Sequence, residues 1–224
     1  LLTAAHCIDN EQGTRTFAQA NLAASKTVFF FNYEVPNCNS TIRGSEEFTI
    51  GGAVLKAFTA DIDFALMELN TTPTQYFRPF YAGWDINTTP SPPVRGIHHP
   101  YGTVKRMNRE DNTPTNTTFD SQSLANSHWK IARWELGATE SGSSGSGLFD
   151  SNFRLIGGLT GGESTCSSPV NDYYFRLNKA WDYYSDATKQ LKIWLDPTNT
   201  GATSIDGYNP YADTAAVRLT NMSN

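Results

Sequence analysis

At 224 residues the chain is long enough to bury the core of one large all-β domain or two small ones. Only 17% of its residues are charged and the formal net charge is -5, so it offers no cationic face for a phosphate backbone, which excludes nucleic acid as a partner class. No apolar run reaches the roughly 20 residues that cross a bilayer, so no membrane partner is predicted, and any export signal lies outside this sequence.

The chain opens on LLTAAHCIDN, where Leu1 and Leu2 read as the buried end of a strand and His6 and Cys7 follow at once. TVFFFNYEV (27–35), FTIGGAVLKAF (48–58) and DFALMEL (63–69) are further extended segments, rich in β-branched and aromatic residues and bounded by turn formers. TTPSPPV, Thr88 to Val94, reads as a connector. Beyond it VRGIHHP, WKIARWEL, SGLFD, RLIGGLTGG and YYFRLNKAW are short and separated by turns, a second β unit. SDATKQLKIWL, Ser185 to Leu195, predicts the one convincing helix: Ser185 caps it, Leu191, Trp194 and Leu195 share an apolar face, and Asp196 and Pro197 stop it. The rest is polar and turn-rich, and residues 208–224 read as a tail or linker.

Three separated pieces combine into one chemistry. TAAHC carries His6, DIDFALMEL carries an acid entering an apolar strand, and GSSGSGLFD places a serine in a Gly/Ser turn before a strand. Each alone has a bland explanation as core, turn or loop. Their order, His then Asp then Ser, is that of the chymotrypsin-type triad. A serine hydroxyl is a poor nucleophile at neutral pH, so His6 would take the proton of Ser144 as it attacks a carbonyl and return it to the leaving amine. Asp63 would hold the imidazole in the correct tautomer; it directly precedes the buried Phe-Ala-Leu run, whereas Asp61 lies further out in the turn. Gly142 permits the tight turn that aims its own amide and that of Ser144 at an oxyanion. Glu140 is a weaker candidate in the loop before the nucleophile. His98 and His99 are adjacent on an extended segment and point to opposite faces, so they predict no metal site, and no cofactor motif is present.

With these residues in view, the chain from residue 1 to about 207 resembles the lysyl endopeptidases, secreted bacterial serine proteases of the trypsin-like superfamily. The resemblance is carried by AGWD (82–85), IHHP (97–100), Lys105–Arg106, TESGSSGS (139–146), GGESTC (161–166) and WLDPTNTGATSIDG (194–207). It implies an all-β, trypsin-like double Greek-key β-barrel with a C-terminal helix and the active site in the cleft. Residues 1–87 would then be the remainder of the first barrel, lacking its N-terminal strands, and 88–207 the second barrel with nucleophile and pocket. In mammalian trypsin-like enzymes a pocket acid stands six residues before the nucleophile, where this chain has Ala138. The family's acid instead matches Asp172, which would pair with a lysine ammonium or an arginine guanidinium. Thr160, Gly161 and Gly162 would form the pocket rim and pair with substrate backbone like an added strand.

Two departures accompany the likeness. Better-known members carry a histidine at the position of Thr160, stacked on a tryptophan from another loop; the nearest aromatic here is Phe119. Animal enzymes have an aspartate before the nucleophile that pairs with a newly cut N-terminus, and Ser143 stands there. The resemblance also pairs Cys7, Cys38 and Cys166 with cysteines preceding Leu1, which would explain their odd number and imply an oxidising compartment. The expected protein is a secreted, monomeric endopeptidase acting on proteins or peptides after lysine or arginine. Rival readings are a triad enzyme of another specificity, such as glutamyl, or a catalytically silent binding module.

Overall fold

The computed structural model describes residues 1–9, 15–37, 40 and 43–211. Strands dominate. A first antiparallel sheet has the order β1-β5-β4, from β1 (Leu2–Thr3), β4 (Ala53–Thr59) and β5 (Phe64–Leu69); β2 (Val28–Phe30) and β3 (Thr49–Gly51) pair beside it. In β5, Phe64, Ala65, Leu66 and Met67 are all buried because successive side chains enter two cores. Phe64 and Leu66 join a cluster with Trp84, Phe175, Leu177 and Trp181, while Ala65 and Met67 pack with Ala20, Ala24 and Leu55.

The second cluster is closed by a helix absent from the sequence expectation, α1 (Phe17–Lys26). A reciprocal capping box between Thr16 and Gln19 starts it, and its inward face is Ala20 and Ala24 with a half-buried Phe17, too little to register as an apolar stripe. Asn21 Oδ1 accepts the Leu55 amide at 2.8 Å, satisfying a donor on the edge of β4.

The second sheet runs β8-β7-β11-β12-β13-β10-β9. Its strands are β7 (Val94–His98), β8 (Arg106–Glu110), β9 (Thr115–Thr117), β10 (His128–Arg133), β11 (Gly147–Phe149), β12 (Leu155–Gly162) and β13 (Val170–Arg176). It curls around Trp129, Ile131, Trp134, Leu148, Leu159 and Tyr174. β6 (Trp84–Asp85) and β14 (Ser204–Ile205) pair with each other, so the AGWD segment meets the return of the chain near its C-terminal end. Tyr208, in the expected tail, bridges to Tyr81. Residues 212–224 of that tail lie outside the described residues, as does Cys38.

The helix expected over Ser185–Leu195 is not continuous. YYFRLNKAW, read as strand throughout, instead turns helical at its end as α2 (Leu177–Asp182), burying Leu177, Ala180 and Trp181 at helical spacing. A 3-10 turn at Ala187–Lys189 follows, capped by Asp186 rather than Ser185, then α3 (Lys192–Leu195). Leu191 divides the segment. It is wholly buried, and its amide donates to the carbonyls of Ala180 and Trp181, so it closes the end of α2 instead of continuing a helix of its own.

Candidate active site

β1 pairs with β5, Leu2 opposite Leu66 and Thr3 opposite Ala65, and the 3-10 turn Ala5–Cys7 follows β1 at once. The pairing brings His6 alongside the residue that enters β5, Asp63. Asp63 has φ 65°, a left-handed conformation that a short polar side chain tolerates. It holds the turn at three points. Its carbonyl accepts the Ala5 amide at 3.1 Å, its Oδ1 accepts the His6 amide at 2.9 Å, and its Oδ2 accepts His6 Nδ1 at 2.9 Å. An ionised carboxylate only accepts, so Nδ1 carries the proton and Nε2 is left as the basic nitrogen. The Asp63 hydrogen bond holds the His6 imidazole above its ordinary value against the opposing effect of burial. Asp61 is engaged elsewhere: its carboxylate accepts the Tyr184 hydroxyl and its carbonyl the Leu124 amide.

Ser144 is half-buried in a turn closed by Ser143 N–H to Glu140 carbonyl at 3.0 Å and Ser146 N–H to Ser143 carbonyl at 3.1 Å. Gly142 and Gly145 take φ 87° and 77°. Among the described residues no acceptor engages the amides of Gly142 and Ser144, while that of Gly145 donates to Leu159 carbonyl at 2.7 Å. Gly145 also abuts the strand that delivers His6: a Cβ there would sit 2.0 Å from Thr3 Oγ1 and 2.8 Å from Ala4 N. His6 and Ser144 thus lie within two residues of one backbone contact, and no hydrogen bond joins their side chains among the described residues. Gly145→Ala, which combines positive φ with that clash, is expected to cost about 2–4 kcal/mol of stability. An unchanged Tm would contradict this packing. Glu140 is a brace, accepting the Cys166 amide at 2.7 Å and the Tyr101 hydroxyl at 3.1 Å.

Asp172, on β13, is 1% exposed and lies opposite Gly162 and Ile131. Trp134 Nε1 and the Thr139 hydroxyl donate to its Oδ2 at 2.5 and 2.7 Å. Burial pushes its carboxyl above the ordinary range, with hydrogen bonds from Trp134, Thr139 and Ser164 opposing. Its Oδ1 lies 2.5 Å from where a Cβ of residue 162 would stand, so Gly162 keeps that oxygen uncovered by a side chain. Thr160 is the bulged residue of β12: Leu159 pairs with Tyr174 and Gly161 with Tyr173, leaving residue 160 without a partner in the register. β11 stops pairing with β12 at Gly158, so Thr160–Gly162 have a strand neighbour on one side only among the described residues.

His128 escaped the sequence reading. Wholly buried on β10, it contacts Thr160 Oγ1 through Nε2 at 3.0 Å and Ser127 Oγ through Nδ1 at 2.8 Å. Phe119 packs on it with ring centroids 5.6 Å apart. An imidazole from β10, reaching past the intervening β13, therefore stands beside Thr160, with Phe119 against it. Burial takes this histidine down to about 4, against the attraction of Asp63 and Asp120. Nothing in the sequence marks it, because the bulge and the strand pairing that bring it there are tertiary. Cys7 and Cys166 are exposed free thiols; burial raises the former and a hydrogen bond with Glu140 the latter, so neither is an activated nucleophile.

The family model for the C-terminal domain of lysyl endopeptidase matches residues 1–176. A lysyl endopeptidase of Pseudomonas aeruginosa strain PAO1 is 34% identical over 185 residues, covering 77% of this chain and 36% of its own length. The chain thus spans about a third of the curated relative it matches. Among solved structures, a thermostable serine protease, AL20, from an extremophilic microorganism superimposes with a TM-score of 0.54 at 18% identity, covering 78% of this chain and 77% of that one. That likeness concerns the fold, an all-β trypsin-like arrangement of two sheet systems with helices at the C-terminal end. The sequence matches go further: this chain belongs to the lysyl endopeptidase family.

Proposed function

We propose that the chain is the catalytic portion of a serine endopeptidase that hydrolyses peptide bonds after lysine, with arginine as the alternative basic residue. The observation that carries the reading is the grip of Asp63 on His6 beside a Ser144 turn whose Gly142 and Ser144 amides have no acceptor among the described residues. Ser144 Oγ attacks the scissile carbonyl carbon while His6 Nε2 takes its proton. The oxygen that gains charge accepts from Gly142 and Ser144 N–H. Collapse breaks the C–N bond as His6 returns the proton to the amine; a water activated by the same imidazole then frees the acid. Asp63 stays ionised throughout, stabilising the cationic ring.

The substrate's acyl side would lie along the open edge of Thr160–Gly162, and its basic side chain would reach for Asp172 beneath Gly162. A lysine there repays the burial of the carboxylate by pairing with it. On the family likeness we place the protein as an exported monomer, with Cys7 and Cys166 exposed at the surface and open to disulfide formation.

Peptides differing only at the residue before the cut test the specificity, and a serine-directed phosphonate tests the nucleophile. Cleavage after lysine with labelling at Ser144 is the expected result. Cleavage after glutamate would transfer the chain to another specificity, and absent labelling of the full-length protein would make it a binding module. The pH profile adds a signature. Because the Asp63 bond raises His6, its base form is lost as pH falls through a value above 6.5, so the acid limb of kcat/KM is expected above 6.5. A limb at or below 6.5 would contradict the His6–Asp63 pairing.

A further inference from the structure

The IHHP segment contributes a buried group that the proposed mechanism does not use. His98 ends β7 and is 2% exposed, whereas the ring of His99 turns outward, its Nδ1 on Thr103 carbonyl at 3.0 Å. His98 Nδ1 lies 2.8 Å from Ser143 Oγ. Ser143 is the residue between the two amides assigned to the oxyanion, and its side chain and backbone both brace the turn. Its Oγ accepts the Glu140 amide at 3.2 Å, its amide donates to Glu140 carbonyl, and its carbonyl accepts the Ser146 amide.

The neutral ring makes this bond in either tautomer: Ser143 Oγ, with one of its two lone pairs on the Glu140 amide, donates to a bare Nδ1 or accepts from a protonated one. The other ring nitrogen, Nε2, is buried with no hydrogen-bond partner among the described residues. An unpartnered buried nitrogen is costly, so this ring position persists only because the rest of the ring is held. The charged groups acting on it are His99, next in the chain, and Arg106, its register partner on β8, with no carboxylate among the described residues acting against them. Burial and these neighbours take His98 down to about 4, so the neutral ring persists at neutral pH.

We propose that His98 is a positioning residue: its buried neutral imidazole, fastened to Ser143 Oγ, holds the Gly142–Ser144 turn in the form that presents both amides to the oxyanion. The proposal rests on the protease reading of that turn. A covalently fixed backbone would need no such prop, but this turn contains glycine at 142 and 145 and is free to relax when its side-chain anchor is lost. The orphaned Nε2 is what the device costs.

The test uses the full-length protein and the variants His98→Leu, His98→Asn, Ser143→Ala and the His98→Leu/Ser143→Ala pair. His98→Leu and Ser143→Ala are each expected to lower kcat about 10-fold or more with KM within about 2-fold, since the oxyanion forms only after binding. The pair should be no worse than the poorer single variant, because both remove one link. His98→Asn, which places an amide oxygen near the position of Nδ1, should restore most of kcat. Amide exchange across residues 139–147, which needs no turnover, should quicken in His98→Leu and Ser143→Ala and return toward the parent rate in His98→Asn. If His98→Leu does not fold, Ser143→Ala and His98→Asn carry the same comparison. Unchanged kcat and unchanged exchange in folded Ser143→Ala would overturn the assignment, as would fully additive losses in the pair. A parent protein that neither cleaves peptides nor labels at Ser144 would instead overturn the protease reading, and the exchange measurement would still report on the His98–Ser143 link.

Discussion

Replacing Ser144 with alanine is expected to lower kcat by about 10⁵–10⁶-fold while KM and Tm stay near their parent values. Among the described residues the hydroxyl makes no hydrogen bond, so its removal leaves no buried partner there stranded and no cavity of consequence. His6→Ala should cost about as much, and Ser144→Ala/His6→Ala no more than either alone, because in the proposed mechanism nucleophile and base act as one unit. Asp63→Asn is expected to cost about 10⁴-fold, since an amide can donate to Nδ1 and so favours the wrong tautomer. Steady-state kinetics on one lysyl peptide would decide all three. Retention of more than a tenth of the activity in folded Ser144→Ala would remove it as nucleophile. Activity in Asp63→Asn equal to the parent, with loss in Asp61→Asn, would move the acid to the residue that the Tyr184 hydroxyl now occupies.

The second large effect concerns Asp172. Asp172→Asn should reduce kcat/KM for lysyl peptides by about 10²–10³-fold, because a desolvated ammonium loses its charged partner. The same change should leave peptides with a small residue before the cut within a few-fold of the parent. Asparagine keeps an acceptor for Trp134 Nε1 and the Thr139 hydroxyl, so the fold survives; Asp172→Ser would shorten the acceptor and is expected to lower Tm as well. Asp172 also predicts a pH effect of definite sign. Its carboxyl is raised by burial, so its charged form is lost as pH falls through a value above the ordinary aspartate range, and lysine preference should weaken there before the fold does. A lysine-to-alanine preference ratio unaffected by Asp172→Asn would place the basic-residue anchor elsewhere.

Much of the site was legible because it lies in short contiguous segments. The left-handed turn at Asp63, the glycines flanking Ser144 and the apolar strand following each of them leave local marks in the sequence. That Asp63 rather than Asp61 contacts His6 was also readable from position, one residue before the buried Phe64 as against one pair further out. The Leu191 boundary, by contrast, was not legible. An apolar residue at helical spacing from Trp194 and Leu195 looks like part of their stripe, yet its amide and side chain serve the end of α2. Helix α1 was missed for the opposite reason, since Ala20 and Ala24 bury little and its stability comes from the sheet beneath it.

The amino-acid sequence by itself determined the chemistry on offer: a histidine, an acid and a serine in a fixed order, and glycines where backbone must approach backbone. It could do so because each of these needs is met within a few residues of chain. Only the tertiary structure decided which groups stand behind them. His98 reaches Ser143 across β7 and the nucleophile turn, and His128 reaches Thr160 from β10 because a bulge in β12 leaves that residue out of register. Both pairings join residues more than 30 positions apart, 45 for His98 with Ser143 and 32 for His128 with Thr160. No local pattern encodes such contacts, because the strand order and register that create them are set by how three apolar clusters close around β5 and β13.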